Sequence, residues 1–288
     1  MTTDDYLVRL ARRSEQVGSV LCLGIDPEPA SLPAGFAHDV TGIERLATLL
    51  VEHAAPYAVA VKANLAFYEA YGGAGRAVLE RLRHRLPADL PFIADAKRGD
   101  IGSTAARQSV ALLDGLGADA VTLNPYLGLD AIEPFLERAD RFAYVLCRTS
   151  NPSATELQDL TIDGEPLYVH VARRVEAWAA GRPRLGLVVG ATAPDEMAVI
   201  RRVTPALPFL VPGVGAQGGD LAAVLAEGPV AAGPAAGRPG GGLLVNVSRG
   251  VAAAALTGDD PARSIERAAA DWSARLNARI EAHHQRGG

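Results

Sequence analysis

Eight short apolar runs, spaced along the chain, constrain its fold more than any other feature. They span 20–25, 57–61, 92–96, 120–123, 142–147, 185–189, 209–211 and 243–247. Each is rich in Val, Leu or Ile and nearly continuous in apolarity, as strands buried on both faces should be. Between them lie segments with helical periodicity, among them 42–53, 69–86, 104–116 and 166–180. Strands that alternate with helices make βαβ units and a parallel sheet. Eight such units close naturally into a (β/α)8 TIM barrel. A doubly wound open sheet is the other architecture the pattern allows. The expected organisation is one α/β domain over 1–288, with an extra N-terminal helix over 4–16. A C-terminal helix should start at Pro261 with Asp260 as its cap, its apolar stripe being Ile265, Ala269, Trp272, Leu276 and Ile280. The stretch 228–242, GPVAAGPAAGRPGGG, reads as a flexible insertion. It follows a short helix and precedes the eighth run, so it belongs on the N-terminal face of the barrel, away from chemistry.

Bulk properties exclude several classes of function. A net charge of −5 and a pI near 5.7 argue against nucleic-acid binding, which usually needs a basic face. No run approaches the ~20 apolar residues of a membrane span. The start, MTTDDYLVRLARR, lacks the apolar core of a signal peptide. A cytoplasmic location is the expectation. Cys22 and Cys147 lie inside apolar runs and read as buried free thiols, not as a disulfide or a metal pair.

The cations are more telling. Of 28 Lys plus Arg, two are lysines, Lys62 and Lys97. An ammonium is compact and can give up a proton, which a guanidinium does not do. Both lysines stand at the C-terminal ends of apolar runs instead of on polar helix faces.

In a barrel, the strand C-termini and the loops after them build the site. Asp26 stands at the end of the first run, Lys62 and Asn64 at the second, and Asp95-Ala96-Lys97-Arg98-Gly99-Asp100-Ile101 at the third. The fifth run leads into Arg148-Thr149-Ser150-Asn151 and the eighth into Ser248-Arg249-Gly250. One such acid alone could simply cap a helix. Two acids and both lysines at strand ends need a joint explanation. Asp95 and Lys97 are two apart on one strand and share a face, with Ala96 turned toward the helices. Such a pair is costly to desolvate unless matched. Matched, it is a preorganised charge array that can favour charge developing in a transition state. Gly213, Gly215, Gly218 and Gly219 after the seventh run allow close approach of backbone N–H groups to an anion, and Arg249 adds a fork of donors. Gly213-x-Gly215-x-x-Gly218 also matches a dinucleotide fingerprint, but the acidic residue that fingerprint needs about 20 residues on is missing.

These residues resemble a known family. Asp95-Ala96-Lys97-x-x-Asp100-Ile101 is similar to the signature of orotidine 5'-phosphate decarboxylases. The surrounding FIADAKRGDIGSTA, VKANLAFYE, RTSNPSA, GLVVGAT, PGVGAQGG and NVSRG look like the longer bacterial and mycobacterial-type branch. The similarity runs from the first strand to the eighth. It implies decarboxylation of orotidine 5'-phosphate to UMP, the last step of UMP biosynthesis, with no cofactor and no metal. By the same resemblance, Lys97 protonates C6 of the pyrimidine and Asp95 sits against the substrate carboxylate. Lys62, Asp95, Lys97 and Asp100 form a charged tetrad, Asp100 coming from the partner subunit of a homodimer. Asp26 and Lys62 hold ribose hydroxyls, and Ile101 and Thr104 of the partner complete that pocket. Ser150 contacts the pyrimidine amide edge, and Gln217 and Arg249 grip the phosphate. Ser248 stands where some relatives carry glycine. Asn64 and Asn151 receive no role. Two other readings stay open. One is a metal-dependent sugar-phosphate decarboxylase or aldolase on the same barrel, and the other is a catalytically silent nucleotide-binding barrel.

Overall fold

The computed structural model describes residues 5–215, 218–257 and 260–286, and the side chains of the last helix as far as Asn277. Each of the eight apolar runs contains or overlaps a strand: β1 (Leu21–Gly24), β2 (Ala60–Asn64), β3 (Phe92–Arg98), β4 (Ala120–Leu123), β5 (Phe142–Arg148), β6 (Leu185–Val189), β7 (Phe209–Val211) and β8 (Leu244–Val247). The second run, 57–61, begins in a 3-10 turn at Tyr57 and enters its strand only at Ala60. Every neighbouring pair is parallel and β8 closes on β1, so the sheet is a complete barrel and not an open one. Strands β2, β3 and β5 run past their apolar stretches into Asn64, Arg98 and Arg148. Ladder hydrogen bonds do not depend on side-chain polarity, so pairing continues where the hydrophobic pattern has already stopped.

Alternation along the strands divides two cores. Val61, Phe92, Ala94, Val121, Val245 and their like face the helices. Cys22, Ala60, Ile93, Ala120, Tyr144 and Leu244 fill the barrel interior. The N-terminal helix Tyr6–Val17 closes the lower mouth. Asp5 caps it by accepting from Leu7 N at 2.8 Å, and Gly18 ends it at φ 58°. Its Tyr6 stacks on Phe142, centroids 4.8 Å apart, and its Arg9 pairs with the buried Asp119 at 2.7 Å.

The segment 228–242 lies on this N-terminal face and packs against it. Val230 N donates to Gly241 O at 3.0 Å and Ala231 N to Pro205 O at 2.9 Å. Val230 and Ala235 are buried and join the cluster around the N-terminal helix. Gly240, at φ 75°, passes so close to that helix that a Cβ would lie 2.5 Å from Ser14 Oγ. Two helical segments also differ from the periodicity. The segment 69–86 is one helix only from Gly72, at φ 57°, to Arg85, and Glu69 ends a separate short helix, Ala66–Glu69. The segment 104–116 starts earlier, as Gly102–Ser109, and widens into a π turn, Val110–Gly115. A small hairpin, Thr161–Ile162 with Glu165–Pro166, turns at Asp163-Gly164, both at positive φ. That Asp-Gly pair is a strong hairpin signal. The C-terminal helix Pro261–Arg286 starts as expected, with Arg263 N donating to Asp260 Oδ1, and it buries Ile265, Ala269 and Leu276. The side chain of Ile280 lies outside the described residues. Among the described residues no helix is long and apolar enough to cross a membrane.

Candidate active site

The C-terminal mouth of the barrel opens into a cavity of about 940 Å³. Asp26, Lys62, Asp95, Lys97, Ser150 and Arg249 all line it, brought together from β1, β2, β3, β5 and β8. Asn64, Asn151 and Ser248 line it as well. Lys62 and Asp95 are buried here because they occupy the inward side of strand alternation, one layer above Ala60 and Ile93.

Charge alternates across this layer. Lys62 Nζ donates to Asp95 Oδ2 at 2.9 Å and lies 3.7 Å from Asp26 Oδ2. Lys97 Nζ donates to Asp95 Oδ1 at 2.7 Å. The side chain of Lys62 is 5% exposed and that of Lys97 47%, so the second ammonium is the one that faces the open cavity. Burial opposes the charge on Asp95, but Lys62 and Lys97 outweigh it and hold the carboxyl far below the usual carboxylate range. Burial likewise opposes the Lys62 ammonium, and Asp26 and Asp95 outweigh that, keeping the amine above the usual lysine range. Both groups therefore stay ionised near neutral pH. Beneath them, burial pushes the Cys22 thiol up to about 12, so it is a neutral apolar filler. Cys147 is also buried and free.

The backbone around Lys97 is unusual. Lys97 has φ 48°, in the left-handed region, at an irregularity where pairing with β4 jumps from Ala94↔Val121 to Arg98↔Leu123. That conformation costs a lysine roughly 1–2 kcal/mol. Strain of this kind persists only where neighbours enforce it.

Asp26 is also braced. Its Oδ1 accepts from Asn64 N at 2.8 Å and its Oδ2 from Ser248 Oγ at 2.7 Å. Ser248 reaches it only because residue 24 is glycine: a Cβ there would lie 1.7 Å from Ser248 Oγ. Asn246 Nδ2 donates to Ser248 Oγ at 3.4 Å, and Asn246 Oδ1 is buried without a hydrogen-bond partner. Arg148 does not line the cavity but donates to Gln158, which does, and to Glu196. Gln158 also accepts from Thr149 N at 2.9 Å and so fastens the start of the loop that carries Ser150. Gly213, at φ 96°, and Gly215 border the cavity on the β7 side.

Three residues singled out in the sequence do not reach this cavity from their own chain. Asp100 Oδ1 accepts from Ile101 N at 2.8 Å, Ile101 is 55% exposed, and Thr104 is exposed on the helix that follows. Gln217 lies outside the described residues. The sequence reading overlooked Thr122, Asn246 and the role of Ser248. Thr122 carried one signal: it is a hydroxyl at an inward position of the otherwise apolar strand Ala-Val-Thr-Leu. No group of three or more His, Cys, Asp or Glu among the described residues is arranged to hold a metal ion. Where Asp26 and Asp95 come near each other, the Lys62 ammonium is the cation they share.

Comparison with known proteins gives a concordant picture. Residues 19–267 match the family model described as "Orotidine 5'-phosphate decarboxylase / HUMPS family". A curated relative from Herpetosiphon aurantiacus, named orotidine 5'-phosphate decarboxylase, is 47% identical over 81% of this chain and 84% of its own length. One of the same name from Halorubrum lacusprofundi is 43% identical over 96% of this chain and 98% of its own. The solved structure of Leishmania donovani OMP decarboxylase superposes with a TM-score of 0.82 at 35% identity, covering 96% of this chain and 99% of that one. The UMP synthase of the same organism superposes at 0.83 and 38% identity, and there this chain spans 57% of the larger protein.

Proposed function

The chain belongs to the orotidine 5'-phosphate decarboxylase / HUMPS family, and from that premise we propose how its barrel mouth converts orotidine 5'-phosphate to UMP and CO2. The observation that carries the proposal is the Lys62–Asp95–Lys97 array on the wall of the cavity. The C6–carboxylate bond breaks, its electron pair stays on C6, and Lys97 Nζ delivers a proton there. Asp95, still ionised, stands beside the substrate carboxylate. Lys62 keeps Asp95 charged and, with Asp26, takes the ribose hydroxyls. Ser150 meets the pyrimidine amide edge, and Arg249 and Gln217 hold the phosphate.

Magnitudes say why the array matters. Enzymes lower barriers by ~8–23 kcal/mol, and this carbanion-like centre asks for the upper part of that range. Proton donation supplies only about 10²–10⁴-fold. The remainder falls to fixed charges that need no reorganisation, and to binding energy from the remote phosphate. Asp26 and Asp95 hold Lys62 in its charged form, and Lys62 and Lys97 hold Asp95 in its own, which is what preorganisation requires.

A homodimer with shared sites completes the reading. Asp100, Ile101 and Thr104 leave their own chain's cavity unserved, and Ile101 presents an exposed apolar side chain. Placed against a second copy, these residues would supply the fourth charge and the remaining ribose wall. The working location is the cytoplasm, and the reaction uses no cofactor. The metal-dependent sugar-phosphate reading predicts an acidic cluster free to ligate, whereas Asp26 and Asp95 are both engaged by Lys62. The deciding experiment is UMP formation from orotidine 5'-phosphate by protein stripped with EDTA. Undiminished turnover is expected, and a strict requirement for added divalent metal would overturn the cofactor-free mechanism.

A further inference from the structure

We infer that Thr122 is a positioning residue for the proton donor, a role that rests on Lys97 being that donor. Two consequences of the irregularity in β3 need an answer. Between Ala94↔Val121 and Arg98↔Leu123 the chain advances four residues on β3 for two on β4, so the regular ladder has no acceptor for Lys97 N–H. A buried or half-buried backbone donor without a partner is costly, and some neighbour must take it. The second consequence is that Lys97, at φ 48°, can relax toward an ordinary strand conformation, which would swing its side chain off the cavity wall.

One hydroxyl addresses both. Thr122 Oγ1 accepts from Lys97 N at 3.0 Å, replacing the missing ladder bond. The same hydroxyl donates to Asp95 Oδ1 at 2.8 Å. Asp95 Oδ1 is also the oxygen that accepts from Lys97 Nζ at 2.7 Å. Thr122 thus grips Lys97 at both ends, its backbone directly and its ammonium through the carboxylate. Thr122 is 1% exposed, and its β-branched side chain has few rotamers to spend, so the grip is stiff. Its directions are set as well. The Oγ1 proton goes to the carboxylate, which leaves the oxygen lone pairs for the amide.

The test compares Thr122→Val, which keeps the shape and removes the hydroxyl, with Thr122→Ser, which keeps the hydroxyl. For Thr122→Val we expect kcat on orotidine 5'-phosphate to fall about tenfold to a hundredfold, the range of one lost hydrogen bond to a charged group. KM and UMP affinity should move by less than about threefold, since phosphate and ribose contacts are elsewhere. Thr122→Ser should recover most of kcat. If Val folds poorly, as judged by UMP binding, Thr122→Ala takes its place with the same measurements. Unchanged kcat without the hydroxyl, or Ser as impaired as Val, overturns the role of Thr122. Undiminished turnover by Lys97→Ala would instead remove the reading on which that role stands, so the two failures are told apart.

Discussion

Asp95 is the residue on which the site's electrostatics turn. It is buried between two ammonium groups, and removing it leaves Lys62 almost fully enclosed with only Asp26 at 3.7 Å. Breaking a buried pair from one side costs about 3–5 kcal/mol. Asp95→Ala should therefore lose about 3 kcal/mol in urea unfolding at pH 7, the lower end because the cavity admits water. The pH dependence has a definite sign. The folded carboxyl lies below its unfolded value of about 3.9, so its stabilisation is complete above that value and drains away as pH falls below it. The gap between wild type and Asp95→Ala should narrow between pH 7 and about pH 3. A gap that holds or widens in acid contradicts the pairing. At this scale the sequence was legible where chemistry is rare. Two lysines in an arginine-rich chain, each at a strand end, pointed to Lys62 and Lys97. It was illegible where a common residue does a particular job. Thr122 showed only that a hydroxyl stands at an inward strand position, which a threonine chosen for β-propensity shows as well, because its role arises from an irregularity in the neighbouring strand. Ser248 was hidden in the same way, since its reach to Asp26 depends on a glycine in another strand.

At the scale of elements, apolar runs located all eight strands; the second began three residues early, and three of them stopped short at their C-terminal ends. There the chain exchanges burial for chemistry while the backbone ladder carries on, so hydrophobicity alone stops too early. The Gly- and Pro-rich segment 228–242 shows the opposite limit. Its composition suggests a loose coil, yet glycine also serves wherever backbone must approach closely, and Gly240 passes against Ser14 in the N-terminal helix. Gly240→Ala should cost about 1–2 kcal/mol in urea unfolding, from its positive φ and the contact with Ser14. It should leave kcat unchanged, because the segment and the cavity occupy opposite ends of the barrel. Unaltered stability would mean that the segment is loose after all, and a loss of kcat would mean that it communicates with the site.

For the whole molecule, eight βα units leave few architectures, and the pairing of β8 with β1 decides for the closed barrel over the open sheet. What a single chain's periodicity does not encode is the surface that meets another copy. Asp100, Ile101 and Thr104 do not line the cavity of their own chain, and the proposed shared site is what would give them a part in it. Mixing Asp100→Ala with Lys97→Ala subunits should restore partial turnover, since each mixed dimer would hold one intact site. No recovery from a verified mixed dimer would argue against shared sites while leaving the array within one chain untouched. That array is the heart of the account, and Lys97→Ala examines it most directly. CO2 release from orotidine 5'-phosphate and UMP affinity should be measured on the same preparation. The account predicts that turnover falls by at least about 10³-fold while UMP affinity stays within about threefold. Turnover at the wild-type rate would contradict it.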